Sequence, residues 1–310
     1  MNGFTIAEGR LWGALFGGIL YGLYVACFVT CIHLFCGHRI RQSPQNKVIL
    51  GIIILLFGLT TAHFACTLQQ LRLGFFGSSL PNNPNIYFNN RNTPLNLVIK
   101  SINGVTMLLG DCLMLFRLWI IYDGSLLVTA IPALSTAATG GVVFALTWEF
   151  SQLSPTQTSF AASIKKLVPA AFVLPVVTNA VITSLILYRI IAARAAVRRL
   201  TVLQDDNFYR IVIANIVESC LIYPIMLIIA MVLYLCKSNG QDVISGSLPQ
   251  VVGIVSTLLW ILVHRGSSRY DMANEHRATS SSHTARMMFV VPKKRNSSVL
   301  RDEFTHQSDV

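Results

Sequence analysis

Four residues with polar or charged side chains lie inside long apolar stretches of this sequence: Asp111, Arg117, Asn179 and Glu218. An ionisable group in the middle of a membrane span costs about 2.5–3.5 kcal/mol on insertion scales, so such a residue is a candidate for function. The chemistry open to these four side chains is hydrogen bonding or ion pairing between helices, or contact with a ligand or an ion.

Their depths along the predicted helices arrange these residues in two pairs. At a rise of about 1.5 Å per residue, Asp111 lies about 16 Å and Asn179 about 15 Å from the predicted cytosolic ends of spans three and five. We therefore expect a hydrogen bond between them near the midplane of the membrane. Arg117 and Glu218 lie about 8 Å and 12 Å from the cytosolic ends of spans three and six, a difference that a long arginine side chain covers. A salt bridge between them is predicted.

Two interpretations of these pairs stay open. In the first, both are clamps between helices that stabilise packing. In the second, the Arg117–Glu218 pair is a cytosolic latch that breaks on activation, while Asp111 and Asn179 contact a ligand or an ion. If the salt bridge forms, reversing both charges together should restore what either reversal alone destroys.

Seven apolar stretches are predicted to position these residues, each close to the roughly 20 residues that a helix needs to cross a 30 Å hydrocarbon core. Hydrophobic residues make up 53% of the 310-residue chain and charged residues only 12%, with a mean hydropathy of +0.59. The stretches lack the period-two alternation of barrel strands. We predict an all-α fold, a polytopic bundle of seven transmembrane helices. The predicted spans are 11–37, 48–71, 97–122, 126–148, 167–188, 211–236 and 243–263.

The distribution of positive charge predicts the orientation, because lysine and arginine near span ends stay preferentially in the cytosol. The short connections on one face carry eight basic residues and those on the other face carry five. We therefore predict an extracellular N-terminus, residues 1–10, a transmembrane domain, residues 11–263, and a disordered cytosolic tail, residues 264–310.

Two cytosolic segments are predicted to contact a signalling partner. Residues 190–203 extend the fifth span as an amphipathic segment rich in Ala and Arg, and its candidate docking residues are Arg194, Arg198 and Arg199. In the tail, Ser297 and Ser298 follow a run of three basic residues and are candidate phosphorylation sites.

Several function classes are excluded at this stage. The net charge of +11 lies mostly on one membrane face, where it fits topology and anionic lipid rather than nucleic acid. The seven cysteines lie almost entirely in apolar spans without a His or carboxylate cluster, so neither a metal nor a cofactor is expected. No paired Asp, Ser/His or metal set occurs at one depth, so we do not expect an enzyme. We expect the lone His63 to be hydrogen-bonded by a neighbour rather than to face a pocket.

Small residues in the first span predict close helix packing. Gly13, Gly17, Gly18 and Gly22 form two overlapping repeats in which small residues are four positions apart. Packing within the bundle is favoured over dimerisation.

Short motifs in four of the spans support a family comparison. They are Gly110–Asp111 and Arg117 to Tyr122 in the third span, Thr178–Asn179, Thr183, Leu185–Ile186 and Arg189–Ile190 in the fifth, Glu218–Ser219 and Tyr223 in the sixth, and Gln250, Gly253–Ile254 and Thr257–Leu258 in the seventh. On these residues the bundle, though not the tail, resembles an uncharacterised seven-transmembrane family of mushroom-forming (basidiomycete) fungi. The family has a receptor-like topology and no established activity.

The motifs of better understood seven-helix proteins are missing. The third span has no acidic-Arg-aromatic triplet, the seventh has no Asn-Pro-x-x-Tyr box, and the outer cysteine pair of rhodopsin-like receptors is absent. The seventh span also has no lysine for a retinal Schiff base. The likeness to receptors is one of topology and therefore an analogy.

Two functions remain. The first is a receptor-like protein that binds a small molecule or a peptide at its outer face and signals through the loop between spans five and six and the tail. The alternative is a transporter or carrier with Asp111 in the path. Seven spans without an internal repeat favour the receptor, because many transporters consist of duplicated halves. Either function places the protein in the plasma membrane or another membrane of the secretory route.

Overall fold

All elements that the structure describes are α-helices. The structure, a computed structural model, describes residues 5–36, 44–77, 84–90, 92–152, 167–200 and 206–262. Its helices are α1 (Ile6–Cys36), α2 (Pro44–Phe76), α3 (Pro84–Asn89), α4 (Pro94–Ile121), α5 (Leu126–Gln152), α6 (Leu167–Leu200), α7 (Asp206–Leu235) and α8 (Gln241–Leu262). The chain divides into a unit Met1–Val263 and a unit His264–Val310, and every described residue belongs to the first.

Six of the described helices are long and apolar enough, by length and composition, to cross a membrane: α1, α2, α4, α5, α6 and α8. This confirms the all-helical class and a multi-pass membrane protein. In α7 only Leu221–Leu235 is described with its side chains throughout, and this apolar segment taken by itself is shorter than a full span. The count of seven spans and the orientation of the termini therefore stay predictions. The short helix α3 was not predicted.

Local sequence explains where α4 begins and how it turns into α5. The Thr93 hydroxyl caps α4 by accepting a hydrogen bond from the Asn96 backbone N–H, and Pro94 occupies the first turn, where its missing N–H costs nothing. After Ile121 the chain takes positive φ at Asp123 and Gly124, 50° and 78°. This tight turn leads directly into α5.

The last helix lies at the centre of the bundle. In α8, 83% of the apolar window is buried, against 17% in α1. Two cores meet at α4 and α8, because one joins these helices to α6 and α7 and the other joins them to α1 and α2. Large apolar side chains on the outside of α1 and α5, such as Ile19, Leu127 and Phe144, remain exposed, as expected where acyl chains are the solvent.

Three of the four glycines noted in the first span, Gly13, Gly17 and Gly18, pack against other helices of the bundle. A Cβ at Gly13 would lie 3.1 Å from the Asp242 carbonyl oxygen of α8, and a Cβ at Gly18 would lie 3.4 Å from the Phe64 ring of α2. Gly17 also faces α8, whereas Gly22 has no neighbour within 4 Å. The small residues thus let α1 approach α8 closely.

We call the end of the bundle where α1, α4, α6 and α8 begin the Arg10 end, and the opposite end the Arg117 end. Side-chain contacts of Arg10 join the start of α1 to the last part of α2 and to the starts of α4 and α8. Helices α1, α4 and α8 therefore run in one direction and α2 runs in the opposite direction. The predicted outer face corresponds to the Arg10 end.

Candidate functional site

The hydrogen bond predicted between Asp111 and Asn179 is present. The Asn179 amide nitrogen donates to one carboxylate oxygen of Asp111 at 2.9 Å and to the Pro175 carbonyl oxygen at 2.9 Å. Both side chains are buried, so the contact ties α4 to α6 inside the bundle. Whether this pair only stabilises packing or also acts in function stays a prediction.

Two buried polar atoms, one in α4 and one in α7, lack a hydrogen-bond partner among the described residues. The second carboxylate oxygen of Asp111 and the hydroxyl of Tyr223 are buried without a hydrogen-bond partner among the described residues. Nearby in the chain, the hydroxyls of Thr178 and Ser135 hydrogen-bond between α6 and α5. A buried polar group without a partner carries a desolvation penalty of about 1–3 kcal/mol.

The salt bridge predicted between Arg117 and Glu218 does not form in the part of the chain that the structure describes. The Arg117 guanidinium donates to the Ser256 carbonyl oxygen of α8 at 2.8 Å, and Glu218 is exposed. The reason is the rotation of α7. Leu227, which is fully buried in the core, follows Glu218 by nine residues, about 180° around a helix.

The cytosolic candidates are described only in their backbone. Helix α6 continues to Leu200, which confirms the predicted extension of the fifth span as far as that residue. The side chains of Arg194, Arg198 and Arg199 lie outside the described part of the structure, as do Ser297 and Ser298.

Just before this extension, the turn between α4 and α5 is attached to α6. The Arg189 guanidinium lies 3.5 Å from a carboxylate oxygen of Asp123 and 5.6 Å from the centre of the Tyr122 ring. The Tyr122 hydroxyl donates to the Leu185 carbonyl oxygen at 3.0 Å. Because both charged groups are largely exposed, their ion pair contributes at most about 1 kcal/mol.

A buried polar network around Arg10 connects four helices. The Arg10 Nε atom lies 3.5 Å from a carboxylate oxygen of Asp242, and the two terminal nitrogens donate to the Gln70 side chain at 3.5 Å and to the Asn96 side chain at 3.3 Å. The exposed fraction is only 12% for the Arg10 side chain and 7% for that of Asp242. This network is the most extensive charged contact among the described residues.

His63 lies beside this network on a small cavity of about 20 Å³. Arg10, Lys100 and Asp242 also line this cavity. Both ring nitrogens of His63 are buried and have no hydrogen-bond partner among the residues described here, so the expectation that a neighbour satisfies this histidine is not met. The cavity has about the size that one water molecule requires.

A larger cavity of about 110 Å³ lies between α4, α5, α6 and α8 at the Arg10 end. It adjoins the small cavity through residues that line both, namely Lys100, Asn103 and Ser245. The lining is polar where α4 and α8 contribute these residues and Gln241, and apolar where α5 and α6 face it. The cavity can therefore hold a molecule with one polar and one apolar part.

The sequence contains signals for this region that the predictions did not use. Lys100 is a cation inside the third predicted span, and Asp242 directly precedes the seventh. Together with Gln70 and Asn96, they fall at the same predicted end of the bundle as Arg10. Several polar residues at one end of several spans indicate a buried network.

The described residues contain no group of three His, Cys, Asp or Glu side chains placed to hold a metal ion. Comparison of the chain with protein-family models, curated proteins and solved structures finds no match.

Proposed function

We propose that this protein is a receptor-like integral membrane protein with seven transmembrane helices, α7 being the span that completes the count. The Arg10 end faces the outside and binds a ligand, and the Arg117 end and the C-terminus face the cytosol. The excess of basic residues in the connections at the Arg117 end supports this orientation. The membrane is the plasma membrane or another of the secretory route.

One observation carries the proposal: the larger cavity at the Arg10 end lies between the helices that also reach the Arg117 end. Lys100 and Ser245 line this cavity on α4 and α8, and further along the same two helices Arg117 donates to the Ser256 carbonyl oxygen. A ligand that changes the spacing of α4 and α8 would act on that contact as well. This gives a continuous physical link between the two ends.

The cytosolic part of the proposal rests on α6. This helix extends to Leu200 and carries Arg194, Arg198 and Arg199 in its last turns. Arg189, just before them, ties α6 to the turn after α4. A displacement of α4 would therefore reach the surface at which a signalling partner docks. Ser297 and Ser298 remain the proposed phosphorylation sites.

The proposal is tested by proximity to heterotrimeric G-protein subunits in cells. The intact chain with a C-terminal tag is compared with a variant in which Arg194, Arg198 and Arg199 are neutralised. The control neutralises Arg72, an exposed arginine at the Arg10 end. Association that is lost in the triple variant and kept in the control is expected. No association of a correctly inserted chain would remove the receptor proposal.

The second proposal is a transporter with Asp111 in the path of the solute. One carboxylate oxygen of Asp111 is buried without a hydrogen-bond partner among the described residues, which is energetically costly, and an ionisable residue inside the membrane is a candidate for function. The receptor is preferred since neither cavity described above is lined by Asp111. A D111N variant that folds normally and loses solute flux in proteoliposomes would favour the transporter.

We further propose a non-enzymatic role without a cofactor, and membership of the seven-transmembrane family of mushroom-forming fungi that the motifs in spans three, five, six and seven resemble. Neither assignment changes the experiments above.

A further inference from the structure

We infer that the outer surface of the bundle fits a lipid bilayer with a hydrocarbon core of about 30 Å, bounded by Trp12 and Trp148 at the Arg10 end and by Trp119 and Tyr188 at the Arg117 end. The inference rests on the part of the proposed function that places these helices in a membrane, and it adds where that membrane begins and ends. It depends neither on the orientation of the chain nor on a ligand.

Exposed tryptophan and tyrosine side chains lie at the two ends of the bundle. Among the residues that the structure describes, four such side chains are exposed, namely Trp12, Trp119, Trp148 and Tyr188. Between the ends, aliphatic side chains such as Leu134 are exposed instead. Tryptophan and tyrosine are enriched at membrane–water interfaces, because the ring is apolar and its N–H or O–H group is polar. The two ends therefore have the chemistry of the two membrane boundaries.

Contacts with α8 place Trp12 and Trp148 at the same level of the bundle. Trp12 directly precedes Gly13, where a Cβ would lie 3.1 Å from the Asp242 carbonyl oxygen. Residues of α5 on either side of Trp148 line the larger cavity together with Gln241 of α8. Because Gln241 and Asp242 begin α8, both tryptophans lie at the level of its first turn.

Contacts between α4 and α6 place Trp119 and Tyr188 at one level at the opposite end. Tyr122, less than one turn after Trp119, donates its hydroxyl to the Leu185 carbonyl oxygen at 3.0 Å. Arg189, which follows Tyr188, lies 5.6 Å from the centre of the Tyr122 ring. Both exposed rings thus lie within about one helical turn of this contact.

Segments without charged residues connect the two levels and have the length of a membrane span. The sequence contains no Asp, Glu, Lys or Arg from Leu126 to Trp148 or from Leu167 to Tyr188. At a rise of about 1.5 Å per residue these segments are about 33 Å and about 32 Å long. Glu149 directly follows the first segment and Arg189 directly follows the second. Both lengths match a hydrocarbon core of about 30 Å with charges just outside it.

These boundaries place the two polar regions at different depths. Asp111 lies about 12 Å along α4 from Trp119, which is close to the midplane. The larger cavity is lined on α5 from Val143 to Phe150, so it extends from about 8 Å inside the level of Trp148 to just beyond that level. A molecule in this cavity therefore lies near the membrane interface and not at the midplane.

The boundaries are tested by brominated lipids that quench tryptophan fluorescence, with the full chain in liposomes. Each of the four tryptophans is kept alone by replacing the other three with phenylalanine. Bromine is placed on the acyl chain either near the headgroup or near the methyl end. Trp12, Trp119 and Trp148 should be quenched more strongly by bromine near the headgroup. Equal or stronger quenching by bromine near the methyl end, or quenching by neither lipid, would overturn the inference.

Two controls separate depth from exposure. Trp260 is only 5% exposed and stacks on Phe35 with the ring centres 4.4 Å apart, so both lipids should quench it less than Trp119. L134W, in a chain without other tryptophans, places a ring on the exposed side of α5, about 12 Å along the helix from Leu126. It should be quenched more strongly by bromine near the methyl end. The reverse order for L134W, or equal quenching of Trp260 and Trp119, would overturn the inference.

The thickness of the bilayer is tested on the unchanged chain. The midpoint of thermal unfolding is measured in nanodiscs of phosphatidylcholines that differ in acyl-chain length. The midpoint should be highest with a hydrocarbon core of about 30 Å and lower with cores about 6 Å thinner or thicker, because mismatch costs free energy for each ångström. A midpoint that is independent of thickness, or that rises steadily in one direction, would overturn the inference.

These outcomes are distinguishable from those of the G-protein experiment. If quenching and thickness agree with the boundaries and no G-protein association occurs, the boundaries stand and the receptor proposal fails. If the association occurs and the quenching order is wrong, the boundaries fail and the receptor proposal stands.

Discussion

Replacing Arg10 by methionine tests whether the network at the Arg10 end holds the helices together. The change removes the guanidinium that joins Asp242, Gln70 and Asn96 and keeps a side chain of similar length. Asp242 then retains a charge with a side chain that is only 7% exposed. The network joins α1, α2, α4 and α8, so the loss acts on most of the bundle.

The expected cost follows from the burial and the distances. Removing one partner of a buried ion pair costs about 3–5 kcal/mol. The contacts of Arg10, at 3.3–3.5 Å, are at the long end of the hydrogen-bond range, so the lower value, about 3 kcal/mol, is expected. The double variant R10M/D242N removes both charges and should be less destabilised than R10M by at least about 1 kcal/mol.

The assay is equilibrium unfolding in mixed micelles titrated with SDS, followed by circular dichroism. R72M, at an exposed arginine of α2, is the matched control and should change the free energy of unfolding by less than about 0.5 kcal/mol. The reasoning would be refuted if R10M were as stable as R72M. It would also be refuted if R10M/D242N lost the sum of the two single effects, because a buried pair predicts a smaller loss.

Three further tests use the same titration. N179A removes the amide that joins α6 to α4 and should lower the free energy of unfolding by about 0.5–2 kcal/mol; no change would show that the hydrogen bond contributes nothing. G110A places a Cβ against the Val252 side chain and should lower the free energy of unfolding by about 1–3 kcal/mol. G141A, where no atom lies within 4 Å of the new Cβ, should leave the free energy of unfolding unchanged or raise it by up to about 1 kcal/mol. Equal effects of the two substitutions would contradict the packing at Gly110. R117M should lower the free energy of unfolding by about 1.5–3 kcal/mol because it removes the hydrogen bond to α8, and E218Q should change it by less than about 0.5 kcal/mol. Reversing both charges should therefore not recover the stability that reversal of Arg117 alone removes. If it did, Arg117 and Glu218 would form the salt bridge after all.

The positions of the long helices could be predicted from the sequence because each apolar stretch coincides with one helix. The depth of Asp111 and Asn179 along their helices was enough to predict their hydrogen bond, since both residues lie at the same level of neighbouring helices. The depth of Glu218 along its helix was not enough to predict which residue it contacts. Its helix is apolar on every side, so the sequence did not show which side faces the core.

The central position of α8 and the network around Arg10 could not be predicted from the sequence. The hydropathy of α8, 1.5, is lower than the 2.0 of α1, but both helices are apolar enough to cross a membrane, and this difference alone does not show which of them faces protein. Arg10 lies close to a span end, where a positive charge ordinarily indicates topology. Its burial depends on the approach of α8 to α1 at Gly13, which is a tertiary contact.

The central claim is a seven-span protein whose Arg10 end faces outside. The most direct test places one epitope tag before Met1 and another after Val310 and measures antibody binding to intact and permeabilised cells. The account predicts that the N-terminal tag is accessible on intact cells and that the C-terminal tag is accessible only after permeabilisation. Tags on the same side of the membrane would mean an even number of spans and would contradict the account.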